Sequence, residues 1–191
     1  LNILWDFDGT LFDTYPAYSN VFSQVLGEAV DKKEIYETLK ISFSHAVHHY
    51  GITENQIKEI DTLESQLAPK DIKPFENAEE ILKFANKNVI MTHKDRKGVL
   101  SILEYYGWDK YFADIVTIDD GFPRKPNSAA YKYLHEKHHI DLAIGDREID
   151  LIPAKELGIA TCIFQNQHVN ADYYLSNYAD FFKLMKDFTH S

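Results

Sequence analysis

"ILWDFDGTLFDT", Ile3 to Thr14, runs from apolar residues into three carboxylates, Asp6, Asp8 and Asp13. A short apolar run that stops at a polar turn reads as a buried strand. Residues two apart on a strand point to the same side, so Asp6 and Asp8 set two like charges together. Such a pair is repulsive unless opposite charge is brought to it. The rest of the chain must supply that charge.

Downstream, short β-branched runs alternate with helical patterns. The strand-like runs are 2–7, 88–92, 114–118, 141–146 and 159–164; the helical ones are 77–87, 95–107, 127–139 and 150–158. Alternation of this kind, with near-continuous apolar strands, predicts an α/β fold: a Rossmann-like parallel sheet flanked by helices. Gly107 and Gly158 stand where helix C-termini favour a left-handed residue. Residues 14–74 break the rhythm with helical patterns alone, and Thr53 with Gln56 has capping-box spacing. The expected organisation is an α/β core of residues 1–13 and 75–191 with an inserted all-helical cap domain of residues 14–74. The tail from Ala171 is expected to be a closing helix, or an irregular segment followed by one.

Composition narrows the function classes. The 191 residues include 30 acidic and 20 basic side chains, a net charge of −10. That balance, with the basic residues scattered, argues against a nucleic-acid partner. No apolar run approaches the roughly 18 residues a membrane span requires, and no basic region precedes an apolar stretch as in a signal peptide. Leu1 in place of methionine fits a trimmed start. The single cysteine, Cys162, lies within "IATCIF" and reads as a core residue, so no internal disulfide is expected and a reducing cytoplasm fits. A monomer or weak dimer is expected.

In a parallel α/β sheet, ligand groups gather beyond the carboxyl ends of the strands. Asp6 and Asp8 follow the first strand, Thr92 and His93 the second, Arg124 and Lys125 the third, and Asp146 and Asp150 the fourth. Each has a plainer reading. Asp6 suits a strand-end turn, Asp8-Gly9 is a turn dipeptide, and Thr92 suits a helix start. Lys125 suits a solvated loop, and Asp150 suits a helix N-terminus, where the dipole favours an acid. Convergence on one sheet edge carries the functional reading. The clusters "HAVHH" (45–49), in which His45 and His49 have helical spacing, and "HEKHH" (135–139) lie in predicted helices with no obvious carboxylate partner, and read as surface or packed residues. Tyr15, Tyr18 and Phe22 read as cap packing.

"DFDGT" (6–10), Thr92 closing "VIMT", Lys125 in "RKPNSAAY" and "GDREID" (145–150) resemble, in order, the four motifs of the haloacid dehalogenase superfamily. The resemblance spans nearly the whole chain, including the position of a C1-type helical cap, and is similar to the phosphoglycolate phosphatase and β-phosphoglucomutase group. It implies Mg²⁺-dependent hydrolysis of a small phosphate monoester. Asp6 would be the nucleophile that becomes an aspartyl-phosphate, and Asp8 the general acid and base. Thr92 would bind phosphate together with the Gly9 turn, and Lys125 would neutralise charge on phosphate and nucleophile. Asp6, the backbone carbonyl of Asp8 and Asp146 would hold Mg²⁺, with Asp150 beside them. His93 stands where the family usually has asparagine, and is expected at the substrate. The partner is expected to be a small phosphorylated metabolite. Phosphomutase chemistry of the β-phosphoglucomutase type is the alternative. Dehalogenase chemistry has no use for an acid at Asp8, and a regulatory module has none for a filled set of charged positions.

Overall fold

The apolar opening forms a central strand because both of its faces are covered. Ile3, Leu4 and Trp5 are fully buried. The computed structural model describes residues 1–27 and 29–188. Its elements begin with β1 (Asn2–Trp5) and β2 (Phe12–Asp13), then helices α1 (Tyr15–Leu26), α2 (Lys32–Ile41), α3 (Phe43–His49) and α4 (Glu54–Ser65). Next come β3 (Lys73–Pro74), α5 (Ala78–Phe84), β4 (Lys87–Met91), α6 (Arg96–Tyr106) and β5 (Phe112–Val116). The chain continues through α7 (Ala129–His138), β6 (Leu142–Gly145), α8 (Glu148–Glu156) and β7 (Ala160–Phe164). It closes with β8 (Tyr173–Leu175) and α9 (Phe181–Phe188).

The chain divides into two compact units, Leu1–Phe12 with Pro74–Ser191, and Asp13–Lys73. The first is built on a six-stranded sheet in the order β5-β4-β1-β6-β7-β8, with every pair parallel. This is the α/β sheet expected from the strand–helix alternation. Along β1 the side chains alternate between two layers. Leu4 joins Val89, Met91 and Ala143 in a cluster completed by Tyr131 and Leu134 of α7 and Ala154 of α8. Trp5 belongs to the other layer, where its ring meets Tyr178 edge-on at 5.8 Å.

The second unit is a set of four helices, α1 to α4, around a core of Tyr15, Tyr18, Phe22, Ile35, Leu39 and Ile60. The three aromatic residues are therefore packing residues within this unit. Asp31 caps α2 through Lys33 N–H at 2.9 Å, and Ser42 caps α3 through His45 N–H at 2.9 Å. Thr53 and Gln56 form the expected capping box at the start of α4. The sequence reading found no carboxylate for the His45/His49 pair, but His49 Nε2 lies 3.1 Å from Glu34 Oε1. That partner comes from α2, too far along the chain for local spacing to reveal.

Several boundaries differ from the sequence reading, among them the strand expected at 114–118, which is Phe112–Val116, and the helix expected at 150–158, which is Glu148–Glu156. β1 ends at Trp5 rather than at residue 7, because Phe7 O accepts the N–H groups of Leu11 and Phe12, both at 3.1 Å, and so starts a turn. Helix α5 stops at Phe84, before the expected 87, and Lys87 already belongs to β4. The tail contains the sheet-edge strand β8 ahead of its helix. Three residues with one buried side chain, Leu175, carry too little apolar pattern to announce a strand. Among the described residues, no helix is long and apolar enough to cross a membrane.

Asn88 is a polar residue with a structural task inside the sheet. Its Oδ1 accepts Trp5 Nε1–H at 2.9 Å and its Nδ2 donates to Leu82 O at 2.8 Å. Replacing it by alanine leaves a buried donor and a buried acceptor without partners. Asn88→Ala is expected to lower stability by about 3 kcal/mol, read as a shift in the urea midpoint followed by tryptophan fluorescence.

Candidate active site

The turn that follows β1 sets the geometry. Gly9 has φ 79°, a left-handed conformation in which a side chain would be strained. Its N–H donates to Phe12 O at 2.8 Å, which folds the chain back on itself. Thr10 is thereby buried, with its Oγ1 3.2 Å from Asp6 Oδ2 and 3.3 Å from Asp146 Oδ1. One hydroxyl hydrogen serves those two carboxylates in turn. Tyr178 OH donates to Thr10 O at 2.8 Å and fixes the turn from behind.

Lys125 supplies the positive charge that the opening carboxylates lacked. Its ammonium donates to Asp6 Oδ1 at 2.6 Å and to Asp150 Oδ1 at 2.8 Å, and its side chain has no exposure to solvent. The neighbouring Arg124 is exposed. Of these two adjacent cations, Lys125 is therefore the one built into the carboxylate cluster.

Asp6, Asp146 and Asp150 are all buried and each offers an oxygen within 4.8 Å of the others. Gly145 makes this possible, since a Cβ there would stand 2.4 Å from Asp150 Cβ. Asp150 has both oxygens engaged, because Oδ2 also accepts the Arg147 N–H at 3.0 Å. Tyr131 OH donates to the Asp150 backbone carbonyl at 2.8 Å, and Asn166 Nδ2 donates to that of Asp146 at 3.0 Å. The Arg147 guanidinium stands 4.0 Å from both Asp6 and Asp146, and 3.6 Å from Asp150.

Charge is not balanced among these groups. Three carboxylates face one ammonium and one guanidinium, leaving a single negative charge in excess. Asp6 bears the consequence: burial, then the charge of Asp150, push its carboxyl up to about 7 despite Lys125 and Arg147. Burial also works against ionised Asp150, but Lys125 and Arg147 overcome it and hold that group down at about 2. A buried, oxygen-only cluster with surplus negative charge suits a hard divalent cation. The donor set therefore fits Mg²⁺.

The other expected residues lie on the segments that follow β1 and β4. Thr92 is buried at the end of β4, and its Oγ1 accepts Lys94 N–H at 3.1 Å. Helix α6 is capped by Asp95, not by Thr92. His93 Nε2 accepts the Lys125 N–H at 2.8 Å. Burial, followed by the positive charges of Lys125, Arg124 and Arg147, lowers the His93 imidazole to about 3, with Asp150 opposing the shift. Asp8 is partly exposed just past the strand. The sequence reading gave no task to Thr10, Arg147, Tyr131 or Asn166. Thr10 lies in "DFDGT", Tyr131 closes "RKPNSAAY" and Arg147 stands between the two acids of "GDREID", whereas Asn166 falls outside these stretches.

Two expectations follow. Lys125→Met leaves Asp6 and Asp150 buried without their shared cation, and is expected to cost about 3–5 kcal/mol in urea unfolding under metal-free conditions. For His93, the unfolded chain binds a proton near the ordinary 6.5, whereas the folded imidazole takes it up only near 3. Unfolding is thus favoured by protons across that window, and stability is lost as pH falls from 6.5 towards 3. His93→Gln removes this contribution, so urea unfolding of the variant should decline less steeply between pH 6.5 and 4 than that of the parent.

Comparison with known proteins agrees with this geometry. Residues 3–164 match the haloacid dehalogenase-like hydrolase family. A phosphoglycolate phosphatase of Vibrio parahaemolyticus is 37% identical over 91 residues, which cover 45% of this chain and 40% of that relative's length. The pyrophosphatase PpaX of Halalkalibacterium halodurans is 26% identical over 183 residues, 84% of this chain and 81% of that protein. A crystal structure of a putative phosphoglycolate phosphatase from Lactobacillus plantarum superposes with a TM-score of 0.82 at 20% identity, covering 96% of this chain and 98% of that one. The match to the family runs from the first strand through the last of the acidic motifs, and the chain belongs to the haloacid dehalogenase-like hydrolases.

Proposed function

We propose that this protein is a Mg²⁺-dependent phosphatase that hydrolyses a small phosphate monoester through an aspartyl-phosphate formed on Asp6. The observation that carries the reading is the buried Lys125 ammonium, 2.6 Å from Asp6 Oδ1, within a cluster of three carboxylates. A structural ion pair would need one acid for one base. A site that gathers an excess of acid around a buried lysine suits a substrate whose own charge must be managed. The names of the relatives, a phosphoglycolate phosphatase and a pyrophosphatase, support a small phosphorylated substrate.

Each residue then has a distinct task. Asp6 Oδ2, the oxygen not bonded to Lys125, attacks phosphorus while the leaving oxygen departs in line. Lys125 holds the other Asp6 oxygen and offsets negative charge that gathers on the phosphoryl oxygens. Asp8, beyond the strand, protonates the leaving oxygen and later takes a proton from the attacking water, which splits the aspartyl-phosphate. Thr92 and the N–H groups of the turn around Gly9 bind phosphoryl oxygens. Asp6, Asp146 and the Asp8 carbonyl, with Asp150 alongside, would hold Mg²⁺, which when bound supplies electrostatic stabilisation of the transferring group. The helical unit, residues 13–73, acts as a cap that selects the substrate and limits water during the first transfer.

The reading is tested by inorganic phosphate release from phosphoglycolate, pyrophosphate, sugar phosphates and p-nitrophenyl phosphate. Release should require Mg²⁺ and stop with EDTA. Asp6→Asn should lower kcat by about 10³-fold or more, the scale of losing a nucleophile; full turnover by that variant would sink the proposal. Asp8→Asn should cost about 10²–10⁴-fold on poor leaving groups. With p-nitrophenyl phosphate the first step needs little acid while the second still needs a base. That variant should then show a burst of p-nitrophenol followed by slow turnover.

A further inference from the structure

We propose that His93 is a positioning residue that holds the Lys125 backbone, and with it the lysine ammonium, against Asp6. The residues from Gly121 to Ser128 have no regular secondary structure. Lys125 must nevertheless deliver its ammonium to two carboxylates on other elements, at 2.6 and 2.8 Å. The Lys125 N–H donates to His93 Nε2 at 2.8 Å. A backbone N–H can only donate, so His93 Nε2 must accept, which puts the imidazole proton on Nδ1. The ring is neutral in this arrangement, in keeping with its burial first and then with the positive charge of Lys125, Arg124 and Arg147, which Asp150 opposes.

The bond ties two loops that serve the same chemistry. His93 directly follows Thr92 at the end of β4, so the imidazole fixes the lysine loop to the segment that carries the threonine hydroxyl. An asparagine in this place would end about where the His93 Nδ1 lies, a bond short of the acceptor. Glutamine extends its Oε1 to the reach of Nε2 and can accept the same N–H. His93 therefore acts through Lys125 and does not itself touch the reacting atoms.

The kinetic consequence rests on the phosphatase reading, whereas the hydrogen bond does not. The experiment compares the parent with His93→Gln, His93→Asn and His93→Phe. Nitrogen-15 NMR of the parent should show a protonated Nδ1 and a scalar coupling between the Lys125 amide nitrogen and His93 Nε2. In His93→Phe the solvent-protected Lys125 ammonium resonance should be lost or shifted, while His93→Gln should keep it. In phosphate release, His93→Phe should lose about 10–100-fold in kcat, the scale of one lost hydrogen bond at a charged site, with KM changed far less. His93→Gln should stay within about threefold of the parent, and His93→Asn should resemble the phenylalanine variant. A proton on Nε2 in the parent, or an unchanged ammonium resonance in His93→Phe, overturns the proposal. So does parental kcat in a folded His93→Phe. If the parent itself releases no phosphate, the phosphatase reading fails, and the ammonium resonance still decides whether His93 positions Lys125.

Discussion

A single ammonium, buried between Asp6 and Asp150, joins parts of the chain that are far apart in sequence. Asp6 directly follows β1, Lys125 lies in the irregular loop before α7, and Asp150 sits in the first turn of α8. An isolated charge in such a place would be expelled or neutralised, so each of the three is acceptable only because the others are present. The same dependence sets the chemistry. Adding Asp146 tips the cluster to an excess of negative charge that neither Lys125 nor Arg147 cancels. The site is thereby left with a standing attraction for a hard cation.

The sheet topology explains why these residues meet. β4, β1 and β6 are adjacent, and all run parallel, so Thr92, Asp6 and Asp146 leave neighbouring strands at the same edge. Parallel strands require long crossovers, and the crossover before β6 contains the loop with Lys125. Small steric permissions complete the arrangement. Gly145 gives Asp150 room to turn back on the strand, and positive φ at Gly9 lets Thr10 come under Asp6 and Asp146. A side chain at Gly145 would push Asp150 away from the lysine that bridges it to Asp6, and one at Gly9 would strain the turn that buries Thr10.

Much of this was legible in the sequence, because strands buried on both faces leave near-continuous apolar runs and the charged residues follow those runs directly. The positions of Asp6 and Asp146 were readable for that reason, whereas Lys125, well past the end of β5, was picked out by the resemblance of "RKPNSAAY" to a family motif. β8 was not, since a three-residue edge strand with one buried side chain has no periodicity to detect. Tyr131 and Asn166 were not readable either. Each hydrogen-bonds a backbone carbonyl of an acidic residue about 20 positions away, and such a partner leaves no mark on local composition. Glu34 opposite His49 escaped on the same ground. Sequence patterns report what an element must do to be buried, and contacts between elements only when they impose a residue type.

The place of the helical insertion follows from chain geometry. The segment leaves the α/β unit after Phe12 and rejoins it at Pro74, where β2 and β3 pair with one another. Because entry and exit are adjacent, a long insertion costs the host unit little beyond closing a loop whose entropy grows only slowly with length. The host keeps its own order: Phe75 N–H donates to Leu11 O at 3.0 Å, so the chain resumes beside the turn it left. That turn is the one which buries Thr10 against Asp6 and Asp146. The insertion therefore springs from the stretch that shapes the site, while Asp6, Lys125, Asp146 and Asp150 all belong to the α/β unit. The carboxylates and the lysine that bridges them are held by the parallel sheet and its loops, on either side of the insertion in sequence.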